Sequence, residues 1–216
     1  MRKLFTLREM RRFILIFYAV GLAGFLIPWT HDLFQKLIPL AVLVNVYLLM
    51  VNHEDMRRRD ILIFITIFIA GFFIEVLGVN TGFPFGDYRY GKIMGPQIMK
   101  TPLIIGFNWL MLTYCAYYLM NFLPVKSYFK PFVGGFFMLA YDFLLEPMAL
   151  KLGMWNWDQK AVPLTNYISW YIFSCVFISL LAIAGTRKRN GIALHVISLQ
   201  TGLFAIMLLF SYIFKI

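Results

Sequence analysis

Apolar runs of helix length, broken by short polar connectors, fill the chain from one end to the other. Seven stretches approach the ~20 mostly apolar residues that a membrane-crossing helix needs: residues 13–29, 33–51, 61–79, 102–123, 131–150, 164–185 and 191–214. This pattern predicts an all-α, polytopic membrane helical bundle with about seven transmembrane helices. The connector Thr30-His31-Asp32 is very short, so six spans plus a re-entrant hairpin at the front is the alternative. No repeat, low-complexity tract or linker interrupts the pattern, which predicts a single integral-membrane domain over 1–216. Two connectors are longer than turns. Residues 80–101 carry glycines at 82, 86, 91 and 95, and residues 151–163 read KLGMWNWDQKAVP. Long connectors with their own aromatic content are commonly functional, and these two are expected to form a shared lid.

Composition sharpens the picture. Apolar residues make up 61% of the chain and charged residues 14%. A soluble sphere of this size cannot hide that much apolar surface, which excludes a cytosolic enzyme, a disordered tail and a secreted disulfide scaffold. The net charge of +10 invites a nucleic-acid partner, but its placement argues for lipid and for no nucleic acid. The cations gather between apolar runs: Arg2, Lys3, Arg8, Arg11 and Arg12, then Arg57–Arg59, then Arg187–Arg189. Such clusters meet anionic headgroups. With seven spans, 13 Lys and Arg fall on the N-terminal side and 7 on the other, which predicts a cytoplasmic N-terminus and an outside C-terminus. The expected location is the cytoplasmic membrane of a bacterium. The basic N-terminal stretch runs into Pro28-Trp29-Thr30-His31 with no small-residue cleavage site and reads as a retained first helix. Cys115 and Cys175 lie inside apolar runs and form no CxxC.

Ionisable groups inside a span are costly and are therefore functional candidates. Seven of the ten acids sit at span edges; Glu75, Asp142 and Glu146 do not. Gly71, Glu75 and Gly78 share a helix face, and small residues beside an acid point that face toward another helix. Asp142 and Glu146 are one turn apart, with Gly135 and Met138 continuing their face. Pro147 is expected to kink or end the helix just beyond. Three carboxyls at one depth would repel if all were ionised, so at least one is expected to hold its proton and serve as a general acid. The competing expectation pairs them with Arg89, Lys92 or Lys151 as structural staples. Asp87 is expected to partner Arg89.

Aromatic residues make up 19% of the chain, and most suit lipid or the interface. Phe83, Phe85, Tyr88, Tyr90, Trp155, Trp157 and Trp170 instead gather on the side of the membrane where the acids lie. Electron-rich rings stabilise cations, so an acid walled by rings suits carbocation chemistry on an apolar substrate. Three scattered histidines, His31, His53 and His195, offer no metal-binding spacing; the first two are expected at the interface and the last in helix packing. Asp142-x-x-x-Glu146 lacks the second acidic motif that a diphosphate-handling prenyltransferase needs. No metal or cofactor is expected.

The stretch Glu75 to Pro102 (EVLGVNTGFPFGDYRYGKIMGPQIMKTP) followed by Trp109 resembles the membrane carotenoid-biosynthesis family of the carotenoid 1,2-hydratase and bisanhydrobacterioruberin hydratase type. The resemblance resumes at Asp142, Glu146-Pro147, Gly153-Met154-Trp155-Asn156-Trp157 and Pro163 through Trp170. It covers roughly residues 70–172 and is most specific in TGFPFG-x-Y followed by GP. Glu146 stands where an Asp is expected, which keeps the acid. The resemblance implies addition of water across the terminal C1–C2 double bond of an acyclic carotenoid end group, without a cofactor. Glu75, Asp142 and Glu146 are then the catalytic candidates. Phe83, Phe85, Tyr88, Trp109, Trp155, Trp157, Asn166 and Trp170 are the candidates for holding the substrate and orienting water. A carotenoid cyclase sharing the protonation step, and a non-catalytic transporter or pigment-binding protein, remain alternatives. The oligomeric state is left open.

Overall fold

A computed structural model describes residues 6–159, 161–186 and 190–214. Arg2, Lys3, Lys160, Arg187–Arg189 and Lys215, which entered the charge count, lie outside the described residues.

Among the described residues, eight helices form the bundle: α1 (Leu7–Leu26), α2 (Pro28–Lys36), α3 (Ile38–Val51), α4 (Arg58–Thr81), α5 (Ile104–Leu119), α6 (Lys130–Lys151), α7 (Leu164–Ile183) and α8 (Ala193–Phe214). Their ends follow local chemistry. Thr6 caps α1: its backbone N–H donates to Glu9 Oε2 (2.7 Å), and its hydroxyl accepts from the Glu9 N–H (3.3 Å). At the start of α4 the Asp60 carboxylate accepts from the Arg57 backbone N–H (3.1 Å) and from its guanidinium (2.7 and 2.8 Å). Gly82 closes α4 at φ +74°, a conformation that costs glycine little. Pro131 opens α6, where its missing N–H leaves no bond unmade.

Every predicted apolar segment is helical over most of its length, and by length and composition alone the described residues show four or five of the seven expected spans. Four of the helices are long and apolar enough to cross a membrane: α4, α6 with its leading turn, α7 and α8. The α2–α3 pair adds a fifth if its 57° bend is read within a single span. That is the build of an integral membrane protein. The other helices fall outside that criterion for physical reasons. Arg8, Glu9, Arg11 and Arg12 fill the first turns of α1. Helix α5 has 16 residues, so it is roughly 24 Å long, short of the ~30 Å hydrocarbon core.

Helix α5 is the hub. It packs against α3, α4, α6, α7 and α8, and every residue from Trp109 to Tyr118 is buried. A helix apolar on all sides belongs inside a bundle. Around it, α4, α6 and α7 turn Phe73, Phe143, Ile172 and similar side chains outward. Pro147 does not end its helix: α6 continues to Lys151, since proline removes only one bond from the ladder.

The two long connectors contain four short strands that hydrophobic periodicity does not reveal. β1 (Tyr88–Tyr90) pairs antiparallel with β4 (Trp155–Trp157), setting Tyr88 opposite Trp157 and Tyr90 opposite Trp155. This joins the two connectors at one end of the bundle. Gly91 continues the contact, its N–H donating to the Met154 carbonyl (2.8 Å), and a Cβ there would overlap the Gly153 carbonyl oxygen. β2 (Gln97–Ile98) and β3 (Thr101–Pro102) form a hairpin turning through Met99 and Lys100, both at positive φ. Asn80 Nδ2 at the end of α4 donates to the Met99 carbonyl (3.0 Å) and pins that turn.

Candidate active site

Two glycines on α4 set the position of the first carboxyl. A Cβ on Gly71 would lie 2.6 Å from Trp109 Cβ, and one on Gly78 would lie 2.7 Å from the Phe85 ring. Trp109 of α5 and Phe85 of the loop therefore lie close against α4 on either side of Glu75 along the helix. Trp109 Nε1 donates to Glu75 Oε1 (2.9 Å). Tyr90 donates to Oε2 (2.7 Å), and Tyr88 makes a short hydrogen bond to the same oxygen. Both phenols reach inward from β1 because residues two apart on a strand share a face; Arg89 between them points out.

The second and third carboxyls come from α6. Glu146 Oε2 accepts from both indoles of β4, Trp155 (3.1 Å) and Trp157 (3.0 Å). Asn166 Nδ2 in the first turn of α7 donates to Asp142 Oδ2 (2.9 Å) and lies 3.5 Å from Glu146 Oε1. Among the described residues, Asp142 Oδ1 is buried with no hydrogen-bond partner. Trp109 stacks on Trp170 of α7 with centroids 4.4 Å apart. Helix α7 also holds the loop before β1: Ser169 donates to the Pro84 carbonyl (2.9 Å) and Thr165 to that of Phe85 (3.1 Å).

All three acids border a single cavity of about 30 Å³, room for about one water molecule. Its walls are Phe85, Tyr88, Trp109, Trp155, Trp157, Asn166 and Trp170, completed by Tyr90, Ile105 and Asn108. Phe83 is not among them; it is 71% exposed. Ile105 lies outside the sequence expectation; Tyr90 is expected in the ring cluster but not as a site residue, although the Tyr-Arg-Tyr alternation marks it as the partner of Tyr88. The expected staples are arranged differently. The acids' hydrogen bonds come from tyrosine, tryptophan and asparagine, and Arg89 donates to Asp158 (3.2 Å) rather than to Asp87. His53, expected at the interface, is buried at the opposite end of α5 with Nδ1 2.8 Å from the Tyr114 hydroxyl. Among the described residues, no three His, Cys, Asp or Glu side chains are grouped to hold a metal ion.

Such a cavity can deliver and accept protons beside electron-rich rings while excluding bulk water. A family model described as carotenoid biosynthesis protein matches residues 34–216. Bisanhydrobacterioruberin hydratase of Haloarcula japonica is 29% identical over 147 residues, covering 62% of this chain and 50% of that protein. The chain thus spans about half the length of this relative. No solved structure matches.

Proposed function

The chain belongs to the carotenoid biosynthesis protein family, and from that premise we propose that it is a carotenoid hydratase. It adds water across the terminal C1–C2 double bond of an acyclic end group, with no cofactor. The observation that carries this reading is the meeting of Glu75, Asp142 and Glu146 at a water-sized cavity walled by indoles. The similarity to a hydratase over 147 residues supports the same reaction class.

Hydrogen-bond supply separates the carboxyls. Glu75 receives three donors, which suits a carboxylate. Asp142 receives one, on Oδ2, and its Oδ1 is bare. A bare buried anionic oxygen is costly, so Asp142 is the proton carrier. Its O–H protonates C2 as the π pair forms the new C–H bond, leaving a tertiary cation at C1. The Trp109, Trp155, Trp157 and Trp170 rings stabilise that cation, and the Glu75 carboxylate balances it. Water oriented by Glu146 and Asn166 attacks C1, gives up a proton to Glu146, and leaves a tertiary alcohol. Transfer of that proton to Asp142 restores the site. The cavity has room for a water but not for an end group, so in this reading the end group enters as the indoles move aside.

In this reading α1, α3 and α5 cross the bilayer together with α4, α6, α7 and α8, the N-terminus is cytoplasmic, the C-terminus is outside, and the strand-paired connectors lie on the outer side. The test is pigment analysis of a lycopene- or γ-carotene-producing host grown without oxygen. A product heavier by one water supports hydration. A product of unchanged mass with shifted absorption would assign cyclisation instead. Unaltered pigments with the protein inserted would remove the reading for those carotenoids.

A further inference from the structure

The carboxyl cavity is small and lined by helices and indoles, yet hydration consumes one water per double bond. A second pocket, of about 530 Å³, lies on the other side of β1. Arg89, Asp158, Asp87, Gln97 and Lys100 give it a polar rim, and the Arg89–Asp158 pair stands largely in solvent. Tyr88 and Tyr90 border both spaces. Their hydroxyls bond to Glu75 on the inner side, while the outer pocket meets them from solvent. Val79, one turn beyond Glu75 on α4, lies in the outer wall.

We infer that water reaches the carboxyl cavity from this outer polar pocket, through the seam between Tyr88 and Tyr90. A phenol both donates and accepts, so an arriving water can replace one phenol on Glu75 without leaving a buried oxygen unpaired. Water-bridged contacts of this kind cost little compared with direct ones. The two reactants then come from different directions: water through the strand-paired cap, and the end group from the bilayer. Each water supplies its oxygen and one hydrogen to the alcohol at C1, and its other proton goes to the carboxylate. The catalytic consequence rests on the hydration reading; the route itself does not.

The test uses the full chain in membranes and reads water access and products separately. Hydroxyl radicals generated from water by radiolysis label residues that water reaches, here Trp109 and Trp157. Val79→Trp would fill the outer wall. It is expected to cut that labelling severalfold and to reduce alcohol formation about tenfold, a barrier change on the order of 1.4 kcal/mol. Starved of water, the C1 cation returns a methyl proton to the carboxylate and leaves an isomer of unchanged mass with the double bond moved. Rise of that isomer distinguishes lost water from a disordered site. Val79→Ser, which widens the wall, is expected to raise labelling and guards against misfolding of the larger variant. Wild-type labelling in both inserted variants would overturn the route. If the wild-type chain makes no alcohol while labelling follows this pattern, hydration falls and the route stands.

Discussion

Trp109 holds three relationships at once: it lies against Gly71, donates to Glu75 and stacks on Trp170. Replacing it with Phe keeps much of the ring but removes the N–H. Under the proposed mechanism, hydration is expected to fall while the protein stays inserted, since one hydrogen bond to a charged group is worth about 1.5–3 kcal/mol. The carboxyls make a stronger test. Asp142→Asn and Glu75→Gln are each expected to lower alcohol formation by about 100-fold or more, measured against protein recovered from membranes. Loss of the protein itself would assign those acids to the fold. The acids were legible in the sequence because lipid makes any acid conspicuous. Their partners were not: an indole N–H looks the same in sequence whether it meets a carboxylate or a headgroup. Phe83 shows the reverse difficulty, since its neighbour Phe85 lies buried on Gly78 while Phe83 itself faces outward, and nothing in the string FPF tells the two rings apart.

At the scale of elements, helices announced themselves through apolar runs, and strands did not. β1 and β4 are three residues each, and their pairing joins residues far apart in sequence, so no local period reveals it. The glycine at position 91 was visible, but its reason is tertiary: the chain passes against the Gly153 carbonyl. Gly91→Ala is expected to push the paired strands apart and misplace both Tyr90 and Trp155. Alcohol formation should drop while insertion and helix content by circular dichroism stay unchanged. Gly71→Ala acts deeper, because its methyl meets Trp109. Overpacking of this kind costs about 1–3 kcal/mol, which should appear as a lower midpoint of thermal unfolding in detergent.

The candidate site lies at one end of the molecule. The carboxyl cavity lies beneath the paired connectors, and the buried His53–Tyr114 contact lies at the far end of α5. In the proposed orientation these ends face outside and cytoplasm. A single cysteine in place of Asp158 should react with a membrane-impermeant maleimide in intact cells, and one in place of Glu54 only after lysis; the opposite result would invert the orientation. Hydropathy locates the helices but leaves span number open, because it measures apolar content and not which neighbour covers it. Helix α5 is the clearest case, as apolar as its neighbours but roofed over by five of them. That central placement bears on biogenesis. During synthesis α5 leaves the ribosome before α6, α7 and α8, three of the helices that enclose it. It is also too short to settle comfortably in lipid by itself. Its insertion is therefore expected to wait for segments not yet made, so a nascent chain stalled once α5 but not α6 has left the ribosome should still hold α5 at the translocon.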